Sequence, residues 1–204
     1  DQPAEHSCNI TRTNHGYLHI FIFELILQNM ELTLSQRIIL KYYRTKIKTL
    51  EKISPQKAAE YTLQLFFTPY VQDRKVERPA IFHRAEHISF TFNNSIIKGA
   101  RWVAPQDNAK TVLICHGMNS CSYRFDKYIE LLLQHNFNVL AFDAQGHGQS
   151  TGKLLNALIY SEIIEEIEHH FGPADGIIAH SLAGLATTFF LEKHQDYHKK
   201  VVLI

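Results

Sequence analysis

The chain has 204 residues, 45% of them hydrophobic and 11% aromatic, enough for one ordinary globular core that buries roughly two thirds of the unfolded chain's surface. Its 21 basic and 20 acidic residues nearly cancel, so no bulk field draws it to nucleic acid or to an anionic membrane, and net charge names no partner. The three cysteines, Cys8, Cys115 and Cys121, are odd in number and form no CxxC pair, which speaks against a disulfide framework or a zinc ribbon and suits a reducing, cytoplasmic setting.

The apolar run GYLHIFIFELIL at 16–27 is too short to span a bilayer, and it lacks the basic flank and small-residue cleavage site of a signal peptide, so no integral membrane span is expected. Residues 1–29 read as an N-terminal extension that translation upstream of Met30 would also produce, because a well-patterned segment follows Met30 directly. From Leu34 onward, Ile38, Ile39, Tyr42, Tyr43, Ile47 and Leu50 recur at helical spacing among Arg37, Lys41, Lys46 and Lys48, which predicts an amphipathic helix. Such a basic helix can lie on a membrane surface or pack on a neighbouring domain; packing is the simpler expectation. A second helix is signalled by SPQKAAEYTLQLFF, with Ser54 as cap, Pro55 in the first turn and Pro69 marking the end. Residues 30–70 thus form a helical N-terminal segment ahead of a core at 71–204.

In that core HISFTF at 87–92 alternates, and IIKGARWVA at 96–104 follows the turn signal Asn93-Asn94, which predicts an antiparallel hairpin. Buried-strand runs then recur at TVLIC (111–115), NVLAFD (138–143), GIIAH (176–180) and VVLI (201–204), separated by helix-length amphipathic segments. The expected fold class is α/β, with a parallel sheet covered by helices on both faces. Chemistry in such sheets lies beyond the carboxyl ends of the strands, where this chain carries HGMNS, AQGHGQS and SLAG.

In AHSLAG (179–184) a strand must turn sharply into a helix, which would lift the Ser181 hydroxyl above the sheet and aim the helix N-terminus at negative charge developing there. Against the usual G-x-S-x-G pattern, both flanking positions are alanine, Ala179 and Ala183, with glycine one step later at Gly184. A serine that merely caps the helix fits the hexapeptide nearly as well. The loop at 116–120 favours the nucleophile: His116-Gly117 after the first parallel strand can turn an N–H into the site, and the amides of Met118 and Leu182 would then form an oxyanion hole.

Three ordered motifs, HGMNS at 116–120, DAQGHGQS at 143–150 and AHSLAG at 179–184, give a chain that resembles the alpha/beta-hydrolase superfamily, in particular its serine-dependent branch of monoacylglycerol lipases, lysophospholipase-like esterases and related serine peptidases. The middle motif matches D-x-x-G-H-G-x-S at Asp143, Gly146, His147, Gly148 and Ser150. The resemblance covers about residues 87–204 and implies an alpha/beta-hydrolase fold and acyl transfer through Ser181 on an ester, thioester or amide carbonyl, without a cofactor or metal. Relatives with an aspartate at the elbow are excluded by Ser181. His116, Gly117 and His180 would support the site, and His116 either contacts substrate or orients the oxyanion loop. An acyltransferase or a non-catalytic binding or scaffold protein on the same fold is the alternative.

Other patterns fail. GHGQSTG has Thr151 where a dinucleotide fingerprint needs its third glycine, and as a P-loop it has His147 and Leu154 in place of the required glycine and Ser/Thr. EEIEHH at 165–170 puts Glu165 with His169 and Glu166 with His170 one turn apart, which reads as a solvated helix face, and His83 and His87 read as surface residues. The resemblance also implies a triad acid and histidine after the serine in chain order. The later His194, His198 and Asp196 are too far along: a helix would carry His194 about 20 Å from Ser181. The expectation is that the natural protein continues by roughly 70 to 100 residues, which would hold the acid, the histidine and the lid.

Overall fold

The computed structural model describes residues 33–69, 77–194 and 199–204. The run at 16–27 and the proposed extension at 1–29 lie outside them, as do Asp196 and His198. The chain divides between Ala58 and Ala59 into two compact units.

In the first unit, helix α1 (Leu34–Ile53) opens on a capping box: Thr33 Oγ1 accepts from the Gln36 amide, and Gln36 Oε1 accepts from the Thr33 amide at 2.9 Å. Ser54 ends it in an extended conformation, its amide donating to Leu50 O. Pro55 then starts α2 (Pro55–Phe67), whose Lys57 amide reaches Ser54 Oγ at 3.4 Å. The periodic residues of α1 do not share one environment. Leu40, Tyr43, Ile47 and Leu50 are half-buried, whereas Leu34, Ile38, Ile39 and Tyr42 are exposed. The apolar positions spread over roughly two thirds of the helix circumference, more than a single contact covers.

The second unit is a six-stranded sheet in the order β1-β2-β4-β3-β5-β6. Strands β1 (Glu86–Phe92) and β2 (Ser95–Trp102) form the expected hairpin, and β2 runs antiparallel to β4 (Asn138–Phe142). From β4 the sheet is parallel through β3 (Thr111–Cys115), β5 (Gly176–Ala179) and β6 (Lys200–Leu203). At the hairpin Asn93 and Asn94 both take positive φ, 43° and 61°, the conformation a two-residue turn needs for its twist to match the strands. Residues 80–84, between the helices and the hairpin, coil into a 3-10 turn that buries Phe82 edge-on to Trp102 at 4.9 Å; His83 and His87 nearby are exposed.

Period-two alternation sorts the strand side chains onto two faces. Leu113 and Cys115, Leu140 and Phe142, and Ile177 and Ala179 meet α4 (Ala157–Phe171) and α5 (Leu182–Lys193) through Tyr160, Ile163, Ile164, Ala186 and Phe190. Ile114, Val139 and Ala141 face the other way onto Phe125 and Ile129 at α3 (Asp126–Gln134). Both faces of the sheet are therefore covered, and the loops between strands and helices emerge together at the carboxyl ends of β3, β4 and β5.

Candidate active site

Strand register brings the three sequence motifs together. Cys115 pairs with Phe142 on one side and with Ala179 on the other, so His116-Gly117 is flanked by Asp143-Ala144 and by His180-Ser181.

The β3 and β4 loops are stapled by side chains bonded to backbone. His116 is fully buried; its Nδ1 donates to Gly117 O at 2.7 Å and its Nε2 accepts from the Ala144 amide at 2.9 Å. His147 repeats the arrangement, donating from Nδ1 to Gln145 O at 2.9 Å and accepting at Nε2 from the Asn119 amide at 3.0 Å. A carbonyl can only accept and an amide can only donate, so both rings are neutral and carry their proton on Nδ1. Burial dominates their titration: it lowers His116 to about 4, with the neighbouring His147 and His180 acting in the same direction against Asp143, and it lowers His147 as well. The Asp143 carboxylate accepts from the Ser122 amide at 2.7 Å and the Gln149 amide at 2.9 Å, while Ser150 Oγ donates to Asp143 O and accepts from the Lys98 amide. Gly148 sits at φ 48°, where any Cβ would overlap the Asp143 carboxylate, so the second glycine of the middle motif is sterically required.

The β5 loop is built differently. Ser181 has φ 53° and ψ −116°, is exposed, and makes no capping hydrogen bond to the helix it precedes. An ordinary N-cap serine is extended and bonds its hydroxyl to the helix amides, so the capping role is not the one it fills. Leu182, half-buried, opens α5, where helix amides lack intrahelical partners. Gly117 lies directly against this turn: a Cβ there would stand 2.6 Å from His180 Nδ1 and 3.1 Å from Ser181 Cβ. The half-buried Met118 follows it. Ala179 and Ala183 are fully buried in the core, and a Cβ on Gly184 would make only ordinary contact, 3.6 Å to Leu203 Cδ2. The alanines therefore fit where the usual pattern has glycine, and Gly184 does not substitute for them.

One support had no signal in the sequence: the buried Tyr160 of α4 donates its hydroxyl to His116 O at 3.0 Å, from 44 residues away. The remaining histidines lie elsewhere. His194, at the end of α5, has Nε2 3.7 Å from Glu165 Oε1 and its ring on Phe190, and His170 stands 3.6 Å from Glu166. Among the described residues no group of three or more His, Cys, Asp or Glu could hold a metal ion, and no helix is long and apolar enough to cross a membrane. Cys115 and Cys121 are buried free thiols, and burial pushes Cys115 up to about 12, far from thiolate chemistry. A cavity of about 200 Å³ opens between Phe82, Lys98, Ser122, Tyr123 and Asp143, apart from Ser181.

A parallel sheet of this order with an antiparallel hairpin at its edge is the alpha/beta-hydrolase fold, covered in part by this chain. Residues 106–204 match the family described as serine aminopeptidase, S33, so that this stretch of the chain is similar to that family. It is 36% identical over 84 residues to the uncharacterized protein YqkD of Bacillus subtilis, covering 40% of this chain and 27% of that protein. Among solved structures it is similar to a probable hydrolytic enzyme of Pseudomonas aeruginosa (20% identity, TM-score 0.52, 59% of this chain and 40% of that one). It is also similar to a predicted CIB-like hydrolase of Thermoplasma acidophilum (18% identity, TM-score 0.52, 59% and 62%). At these identities the solved structures speak for the fold. The chain spans between about a quarter and three fifths of the length of these relatives.

Proposed function

We propose that Ser181 is the nucleophile of an esterase- or lipase-like serine hydrolase acting on an ester, thioester or amide carbonyl, with the Met118 and Leu182 amides as its oxyanion hole. The observation that carries this reading is the forced backbone of Ser181, at φ 53° and ψ −116° between β5 and α5, with Gly117 pressed against it. Positive φ at a non-glycine residue costs on the order of 1–3 kcal/mol and persists where the surroundings impose it, which is how a strand-to-helix turn holds a hydroxyl out of the sheet.

In the proposed reaction Ser181 Oγ bonds to the carbonyl carbon as its proton passes to a general base, and the carbonyl oxygen becomes an oxyanion held by the two amides. Collapse of that intermediate breaks the bond to the leaving group, which takes the proton, and water then releases the acyl group by the same steps. Neither His116 nor His147 suits the role of base, because taking a proton at Nε2 would break its bond to a backbone amide. The base and its acid are therefore proposed to come from later in the protein, in the order serine, acid, histidine that the superfamily uses.

The test is labelling of the full-length protein by a fluorophosphonate probe, with hydrolysis of p-nitrophenyl esters alongside. Wild type is expected to label and Ser181→Ala to lose both signals. A wild type that takes no label would overturn the proposal in favour of a binding protein on the same fold, and acyl transfer to an acceptor other than water would make it an acyltransferase.

A further inference from the structure

Helix α1 carries a second apolar stripe that its own packing leaves out. Leu34, Ile38 and Tyr42 stand in line one turn apart and are 76%, 61% and 59% exposed, while the half-buried side of the helix is the separate row Leu40, Tyr43, Ile47 and Leu50. At about 100° per residue, Thr45 and Thr49 fall in the exposed sector too. Their hydroxyls are already satisfied within the helix: Thr45 Oγ1 donates to Lys41 O at 2.8 Å and Thr49 Oγ1 to Thr45 O at 2.9 Å. They therefore enter an apolar medium at little cost, since the expensive step is burying an unbonded hydroxyl.

Cations border this stripe on both sides. By the same rotation Lys41 and Lys48 flank one edge and Lys46 the other, and α1 as a whole has six basic residues against the single Glu51, a net charge of +5. The near-neutral total of the chain hides this local concentration.

We propose that this face of α1 docks on an anionic lipid bilayer, with the helix lying in the plane of the interface. Leu34, Ile38 and Tyr42 would sit at the level of the acyl-chain ends, and Lys41, Lys46 and Lys48 would reach back along their stems to the lipid phosphates. Charge complementarity favours an anionic surface, and the banding favours a bilayer over a nucleic acid, which would engage the lysines and leave the apolar stripe in water. The inference does not depend on Ser181.

The experiment is flotation of the full-length protein with vesicles of pure phosphatidylcholine and with vesicles one-third phosphatidylserine. Binding is expected only to the anionic vesicles and should weaken as salt rises. Lys41→Glu/Lys48→Glu should lower partitioning by about thirtyfold or more, at roughly fivefold per basic residue lost. Ile38→Asp should lower it about tenfold by removing inserted apolar surface. Lys110→Glu/Lys127→Glu, an equal charge change at exposed sites outside α1, should leave it nearly unchanged. Circular dichroism on each variant confirms folding. No binding to either vesicle, equal binding to both, or anionic binding that survives the α1 substitutions would overturn the proposal; in those cases a protein groove or a second copy becomes the better partner for the stripe.

Discussion

In the loops after β3 and β4, both ring nitrogens of His116 and of His147 and both carboxylate oxygens of Asp143 are bonded to backbone, whereas Ser181 after β5 is exposed, strained and uncapped. All lie at the same end of the same sheet, and each belongs to a motif of chemically capable residues. The difference separates residues tied into the scaffold from the one proposed to act as nucleophile. A histidine with both nitrogens tied to peptide groups is a cross-link, and burial reinforces that by opposing its protonation. A serine held at positive φ is the reverse, a side chain whose placement costs local strain and brings no helix capping in return.

Acid gives the largest way to break this comparison. His116 is lowered to about 4 from an ordinary value near 6.5, so between those pH values the unfolded chain binds a proton that the folded chain refuses. Stability should therefore fall as pH drops through this window, by about 3 kcal/mol from His116, with His147 shifted in the same direction. Urea denaturation at successive pH values measures it, and a flat profile would show that these histidines are not the neutral cross-links described.

The contact between the two kinds of loop is sharpened by Gly117→Ala. The new methyl would press on His180 and on Ser181 Cβ and displace the amide that follows it. Fluorophosphonate labelling of Ser181 should drop by about a hundredfold, the cost of losing one oxyanion donor, while the melting temperature moves far less. Labelling within a few fold of wild type would mean that the β3 loop is scaffold alone.

The smallest effect is expected at Gly184. Its Cβ would find only ordinary contact with Leu203, and alanine suits a helix better than glycine by about 0.5–1 kcal/mol, so Gly184→Ala should leave labelling unchanged and stability equal or slightly higher. A large loss would show that the elbow needs a glycine after all, one position later than the usual pattern.

Much of the fold was legible because it is written in short-range patterns. The Asn93-Asn94 turn, the buried runs at β3, β4 and β5, and the Ser54-Pro55 junction each follow from what a few neighbouring residues allow their own backbone. The motifs at the strand ends were legible as a set, and the alpha/beta-hydrolase resemblance followed from their order. Less legible were the 3-10 turn at 80–84, which forms because Phe82 is buried beside Trp102 and Tyr123, and the two environments around α1, which periodicity alone merges into one face.

The sequence by itself determined which segments are strands and helices, where the chain reverses, and which residues stand at the carboxyl ends of the strands. Local dihedral preference and burial periodicity operate over a few residues, and they suffice for that. Only the tertiary structure decided that His116 bonds to an amide 28 residues away and to a tyrosine hydroxyl 44 residues away, that Asp143 is bonded to backbone amides, and that Gly117 abuts Ser181. Those relations depend on β3 lying between β4 and β5 in one register, and a strand's neighbours in the sheet are chosen by the whole chain's packing rather than by its own residues.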